Sequence, residues 1–299
     1  MSGRPTGAFV SRAGVRLHVL RWEGDGPALV LLPGLGQSAH VFRELAPALG
    51  DFRVIAVTPR GHGHSATPSG GYTLESCADD LRAVMDAHEV ERAILVAHSL
   101  SGTVATRLAV RSPERVRGMV YLDGLHDYAR WGDVITQNPF PPPPRPDFDD
   151  RDGTREWMRR YVTGAWGDAL EADLKAHAPG NVAAWRWELL IGLLDDAGLH
   201  PTPYADLRCP ALALVAAESL ETQFGWMQPM SGADRERAEA YLRTVREPWR
   251  RETEARFLRE APAGRIVQVE GGHYFFLTAR DRVAAEIRAF ASSLSPSQT

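Results

Sequence analysis

The stretch that decides the fold is Leu95-Val96-Ala97-His98-Ser99-Leu100-Ser101-Gly102. An apolar run enters it, small residues fill its middle, and a helix-like segment, Thr103 to Val110, leaves it. That is the pattern of a buried strand turning sharply into a helix. A serine at such a turn projects its hydroxyl above the sheet edge, and its neighbours must be small because the backbone is crowded there. The usual form is Gly-x-Ser-x-Gly. Here Ala97 and Ser101 stand at the two glycine positions, and Gly102 follows. A serine capping a helix would be the plain alternative, so the rest of the chain has to decide.

Working outward, apolar runs alternate with helical spacing. Val15 to Glu23, Ala28 to Leu32, Phe52 to Val57, Ile94 to Ala97 and Val116 to Leu122 read as strands. His40 to Leu49 reads as a helix, and so do Leu74, Ala78, Leu81, Val84 and Met85 with their neighbours. Short apolar runs without polar alternation are those of strands covered on both faces. Strand and helix in alternation imply a mostly parallel sheet flanked by helices, an α/β fold.

The alternation breaks at Asn138 to Pro146, Asn-Pro-Phe-Pro-Pro-Pro-Pro-Arg-Pro, which suits an extended connector and neither helix nor central strand. The next segment carries Trp157, Tyr161, Trp166, Trp185 and Trp187. Alternation resumes with the strand Ala211 to Ala217, a long Arg- and Glu-rich helical stretch from Ala233 to Glu260, the strand Arg265 to Val269 and the helix Asp281 to Phe290. The expected organisation is a core in two parts, 1–124 and 207–299, with a helical insertion at 125–206.

Glycine-rich turns follow the strands at points where chemistry is commonly placed. Pro33-Gly34-Leu35-Gly36 follows the Ala28–Leu32 run; Thr58-Pro59-Arg60-Gly61-His62-Gly63-His64-Ser65 follows the next; Gly271-Gly272-His273-Tyr274 follows the last. Asp123 ends the Val116–Leu122 strand. The ends of parallel strands converge on one edge, so His273 is placed to reach Ser99.

Together these motifs resemble the α/β-hydrolase superfamily, over about Val15 to Asp123 and Leu207 to Phe290. The resemblance implies an α/β-hydrolase sheet with a helical cap inserted after the sixth strand, and a triad in the chain order serine, acid, histidine. On this sequence Ser99 is then the nucleophile and His273 its base. The N–H groups of Leu35 and Leu100 are the expected oxyanion hole. The family's usual aspartate before the Arg-Gly loop is replaced by Thr58, a structural position. The acid stays open between two residues. Asp123 fits a placement directly after the sixth strand; Glu218 lies one residue before the other usual slot, which Ser219 occupies.

The activity so implied is acyl-enzyme hydrolysis of an ester or lactone of a small, largely apolar substrate. Carbon–carbon bond hydrolysis, or acyl transfer and cyclisation, would use the same triad. A ligand-binding protein without turnover is the reading of another class. Epoxide hydrolases and haloalkane dehalogenases attack with a carboxylate, which Ser99 does not supply. His98, His126 and Trp226 are candidate pocket residues. No cofactor is expected. No metal is expected either, since His62 and His64 sit in a glycine loop with no third partner.

The bulk numbers agree with a small-molecule enzyme. The chain has 299 residues, 44% hydrophobic and 24% charged, with a net charge of -4. That charge speaks against nucleic acid as a partner. No apolar run reaches the ~18 residues of a membrane span, and Met1 to Val10 has no basic stretch followed by an apolar core. The expectation is a cytoplasmic protein with no membrane partner, its oligomeric state left open. Cys77 and Cys209 read as two free thiols.

Overall fold

The computed structural model describes residues 3–140, 144, 146–147, 150–177 and 187–294, with backbone alone for 187–190. Its strands are β1 (Thr6–Arg12), β2 (Val15–Trp22), β3 (Ala28–Leu32), β4 (Arg53–Val57), β5 (Ala93–His98), β6 (Val116–Leu122), β7 (Ala211–Ala216) and β8 (Arg265–Val269). They form one sheet in the order β1-β2-β4-β3-β5-β6-β7-β8. β1 and β2 run antiparallel; from β4 to β8 every pairing is parallel. The α/β sheet read from the sequence is present.

Alternate residues of the central strands feed two cores. Val30, Leu32, Leu95 and Ala97 face one side; Leu29, Leu31, Ile94 and Val96 face the other. The short helix α1 (Leu45–Ala48) packs on the second side. α2 (Leu74–Ala87) and α3 (Ser101–Arg111) cover the first, through Leu81, Val84, Val104 and Leu108. Both faces are covered, so the strand sequences are apolar throughout rather than alternating.

Between β6 and β7 the chain leaves the sheet and forms α4 (Trp131–Thr136), α5 (Arg151–Met158), α6 (Asp168–Ala176) and α7 (Trp187–Leu199). After β7 come α8 (Leu220–Phe224), α9 (Gly232–Tyr241) and α10 (Glu247–Glu260); after β8 come α11 (Phe275–Thr278) and α12 (Arg280–Ser293). Most of the proline run at 141–146 and the Trp185 side chain lie outside the described residues, and nothing of the Trp187 side chain is described.

Three features differ from the sequence reading. A strand, β1, precedes the first expected one; it pairs with β2 through the two-residue turn Ala13-Gly14, both at positive φ. His40 to Leu49 is not one helix. It divides into a 3-10 turn at Ala39–Phe42 and α1, because Pro47 has no N–H to give the Arg43 carbonyl. The 233–260 stretch is helical, but a wide π turn at Leu242–Arg246 separates α9 from α10, just before Pro248. Both cysteines are free, and no helix among the described residues is long and apolar enough to cross a membrane.

Candidate active site

Ser99 occupies the turn between β5 and α3 with φ +54°, a left-handed conformation that side chains rarely adopt. Its surroundings explain the small residues. A Cβ on Gly102 would stand 2.8 Å from the Gly124 carbonyl, and one on Gly34 would stand 2.6 Å from His98 Nδ1 and 3.2 Å from Ser99 Cβ. Ser101, at the second glycine position of the motif, donates its hydroxyl to the Pro33 carbonyl at 2.5 Å, tying the turn to the loop after β3.

Asp123 follows β6 and also has a positive φ, +45°. Its Oδ2 accepts from His273 Nδ1 at 2.6 Å, and its Oδ1 accepts from the Ala216 N–H at 3.0 Å. Burial pushes the carboxyl pKa up, but the hydrogen bond and charge of His273 and the Ala216 amide outweigh it. Asp123 is therefore held well below the usual carboxylate range. Donation from Nδ1 leaves His273 Nε2 with its lone pair.

Ser99, His273 and Asp123 line one cavity of about 340 Å³, together with Leu35, Leu100, His98 and His126. The Leu35 and Leu100 N–H groups make no hydrogen bond among the described residues, so both remain available to a ligand. The alternative acid, Glu218, is elsewhere engaged. It pairs with Arg246, whose Nε lies 3.3 Å from Oε2, and with Arg250 at 3.7 Å. Trp226 lies apart from Ser99. It lines an adjoining cleft of about 680 Å³ that His273 and Tyr274 share, edge-on to Tyr161.

The candidate histidines separate by role. His98 is fully buried, donates from Nε2 to the His273 carbonyl at 3.0 Å, and packs against Tyr274 and Phe276. Burial holds its pKa well below the ordinary value, so it positions the His273 backbone as a neutral ring. His62 accepts from the Gly36 N–H at 2.9 Å and thereby shapes the loop carrying Leu35. Thr58 accepts from the Ala39 N–H at 3.1 Å and bonds His18 at 3.0 Å, the structural part expected of that position. His126 is stacked on Trp249 and pushed down to about 3, mainly by burial.

Several pocket residues carry no sequence signal. Tyr128, Trp131, Leu194, Gln223 and Arg246 all line the Ser99 cavity. Tyr128 lies two residues beyond His126 in a loop without a motif. Its hydroxyl is buried and has no formed hydrogen bond. Burial raises its pKa, and the approach of Ser99 partly offsets that. Arg246 sits in the π turn, over the rings of Trp131 and Trp249, in a stretch that the sequence marks only as Arg- and Glu-rich helix.

Residues 27–167 match the family described as alpha/beta hydrolase fold. The chain is 36% identical over 120 residues to the 2-(acetamidomethylene)succinate hydrolase of Mesorhizobium japonicum, covering 38% of this chain and 43% of that one. It is 30% identical over 187 residues to lipase LipV of Mycobacterium tuberculosis, covering 58% of this chain and 68% of that one. The chain spans less than half the length of the first curated relatives it matches, 38–43%. Among solved structures, carboxylesterase CesB of Bacillus subtilis superposes with a TM-score of 0.64 at 19% identity, over 96% of this chain and 92% of that one, a likeness of fold. The strand order, the strained serine turn and these matches have one reading: the chain belongs to the α/β-hydrolase superfamily.

Proposed function

We propose that this protein is a serine hydrolase that cleaves an ester or lactone through an acyl-enzyme. The observation that carries the reading is the convergence of a strained Ser99 and the 2.6 Å His273–Asp123 pair on one cavity. In this scheme Ser99 Oγ attacks the substrate carbonyl while His273 Nε2 takes its proton. Asp123 fixes the tautomer and stabilises the imidazolium. The Leu35 and Leu100 amides receive the oxyanion, each such donor being worth ~3 kcal/mol. His273 then protonates the leaving group and activates the water that releases the acyl group.

The segment 125–206 is the proposed cap between core parts 1–124 and 207–299. Trp131 of α4 and Leu194 of α7 stand on the Ser99 cavity, and Asp173 of α6 accepts from the Ser38 N–H at 2.8 Å and its hydroxyl at 2.5 Å. Leu35, Leu100, Leu194 and Trp131 suit a small apolar acyl group. The wider cleft beyond His273, with Arg159, Arg160, Gln223 and Gln228, suits a polar leaving group open to solvent.

The test is intact-mass analysis after treatment with a fluorophosphonate, on wild type and Ser99→Ala. One adduct on wild type and none on the variant is expected. A folded wild type that takes no adduct would defeat the reading.

A further inference from the structure

Beside the proposed catalytic pair stands a third ligating side chain that hydrolysis does not need. Asp123, His126 and His273 each offer one ligand atom, and these atoms lie within 4.8 Å of one another, the one such group of three among the described residues. His126 is held without being engaged. Its ring is stacked on Trp249 at 5.4 Å and 20°, and stands edge-on to His273 at 5.3 Å and 66°. No hydrogen bond among the described residues reaches either of its nitrogens. The ring also borders the Ser99 cavity, so solvent or a ligand completes the surroundings.

Two imidazoles and one carboxylate are a donor set for a borderline cation. Zinc takes such ligands in a tetrahedron with one position left to water, whereas magnesium and calcium want oxygen alone. Ligand atoms around zinc sit about 3.3 Å apart, given bonds of ~2.0–2.1 Å. From separations of up to 4.8 Å the three atoms must close by at most about 1.5 Å, within reach of side-chain rotation.

We propose that Asp123, His126 and His273 form a zinc-binding site whose occupation switches the enzyme off. Whichever nitrogen of His273 the metal takes, the base is lost. Ligation at Nδ1 replaces the hydrogen bond to Asp123 and moves the ring's one proton to Nε2, where no lone pair is then left to accept from Ser99. Ligation at Nε2 occupies the lone pair that would accept the Ser99 proton. The switching rests on the proposed serine mechanism; the binding does not.

The experiment titrates zinc chloride calorimetrically into the metal-free full chain as wild type, Ser99→Ala and His126→Phe. Rates on p-nitrophenyl acetate are followed in parallel. Wild type and Ser99→Ala should each bind zinc, and His126→Phe should bind about tenfold more weakly or worse. Magnesium should give no binding. Zinc should stop wild-type turnover, a chelator should restore it, and half-inhibition of His126→Phe, relative to its own zinc-free rate, should need about tenfold more metal. If His126→Phe does not fold, His126→Gln replaces it. Zinc bound as tightly by the His126 variant as by wild type, or no zinc bound by wild type, would overturn the site. A wild type that binds zinc through His126 yet cleaves no ester would leave the site standing and remove the proposed function instead.

Discussion

His273 Nδ1 lies 2.6 Å from Asp123 Oδ2, a hydrogen bond across 150 residues of chain. Glu218, the other acid the sequence allows, is bound to Arg246 and Arg250. Asp123→Asn should therefore lower kcat by roughly 10³–10⁴-fold, because the amide no longer enforces the tautomer or stabilises the imidazolium. Glu218→Gln should act mainly on stability, through two arginines left short of charge. Steady-state kinetics with thermal melting of both variants checks the assignment; equal kinetic losses would refute it.

The loop after β3 has no room for a side chain at Gly34, where a Cβ would press on His98 and Ser99. Gly34→Ala should displace the Leu35 amide and cost on the order of a hundredfold in kcat. KM should change far less. A rise in KM alone would show that this loop binds substrate without serving the oxyanion.

Tyr128 presents a buried, unsatisfied hydroxyl to the Ser99 cavity. Tyr128→Phe should leave the melting temperature unchanged or slightly raised, since no hydrogen bond is lost on folding. If the hydroxyl donates to bound substrate, kcat/KM should fall about tenfold. An unchanged kcat/KM would make Tyr128 a wall and nothing more.

Arg60 and Asp80 form a buried two-pronged ion pair, 2.6 and 2.7 Å, with side chains only 5% and 6% exposed. Asp80→Asn strands the guanidinium and should destabilise the fold by about 3–5 kcal/mol. Denaturant titration measures it. A loss under about 1 kcal/mol would mean that water reaches the pair.

A group of buried histidines sets the acid limit. Burial, with smaller contributions from neighbouring positive groups, pushes His18, His62 and His177 down to about 4 and His40 to about 3, from an ordinary 6.5. The unfolded chain binds more protons than the folded one between those values, so stability falls as pH drops from 6.5 towards 4. Asp173, raised to about 7 by burial, works the other way: its contribution is full below 3.8 and is lost as pH rises through 7. His98 and His126 are lowered as well, so the histidines outweigh the one raised carboxyl and the melting temperature should fall below pH 6.5; His40→Phe should flatten that fall. A flat profile down to pH 4 would contradict it.

Much of this was legible along the chain. The strands β6 and β8 have the ends their apolar runs suggest, and Ser99, Asp123 and His273 each follow a strand. Buried strands advertise themselves because both faces exclude water, and strand-end turns do so because glycine and serine suit their backbone. The 40–49 stretch reads as one helix because apolar spacing says nothing about the N–H that Pro47 lacks. β1 gives no apolar run because only Val10 of its seven residues is buried, as befits an edge strand.

The sequence by itself determined the class of fold and the serine turn, which depend on local backbone and burial; the order of serine, acid and histidine is what the family resemblance implies. Only the tertiary structure decided which acid meets His273, that Arg246 and Tyr128 stand at the pocket, and that His126 completes a group of three ligands. Those depend on distances between residues far apart in the chain. Asp123 and Glu218 follow neighbouring strands and carry the same chemistry. What separates them is that Arg246 and Arg250, on the turn and helix packed beside β7, engage one carboxylate and leave the other to the histidine.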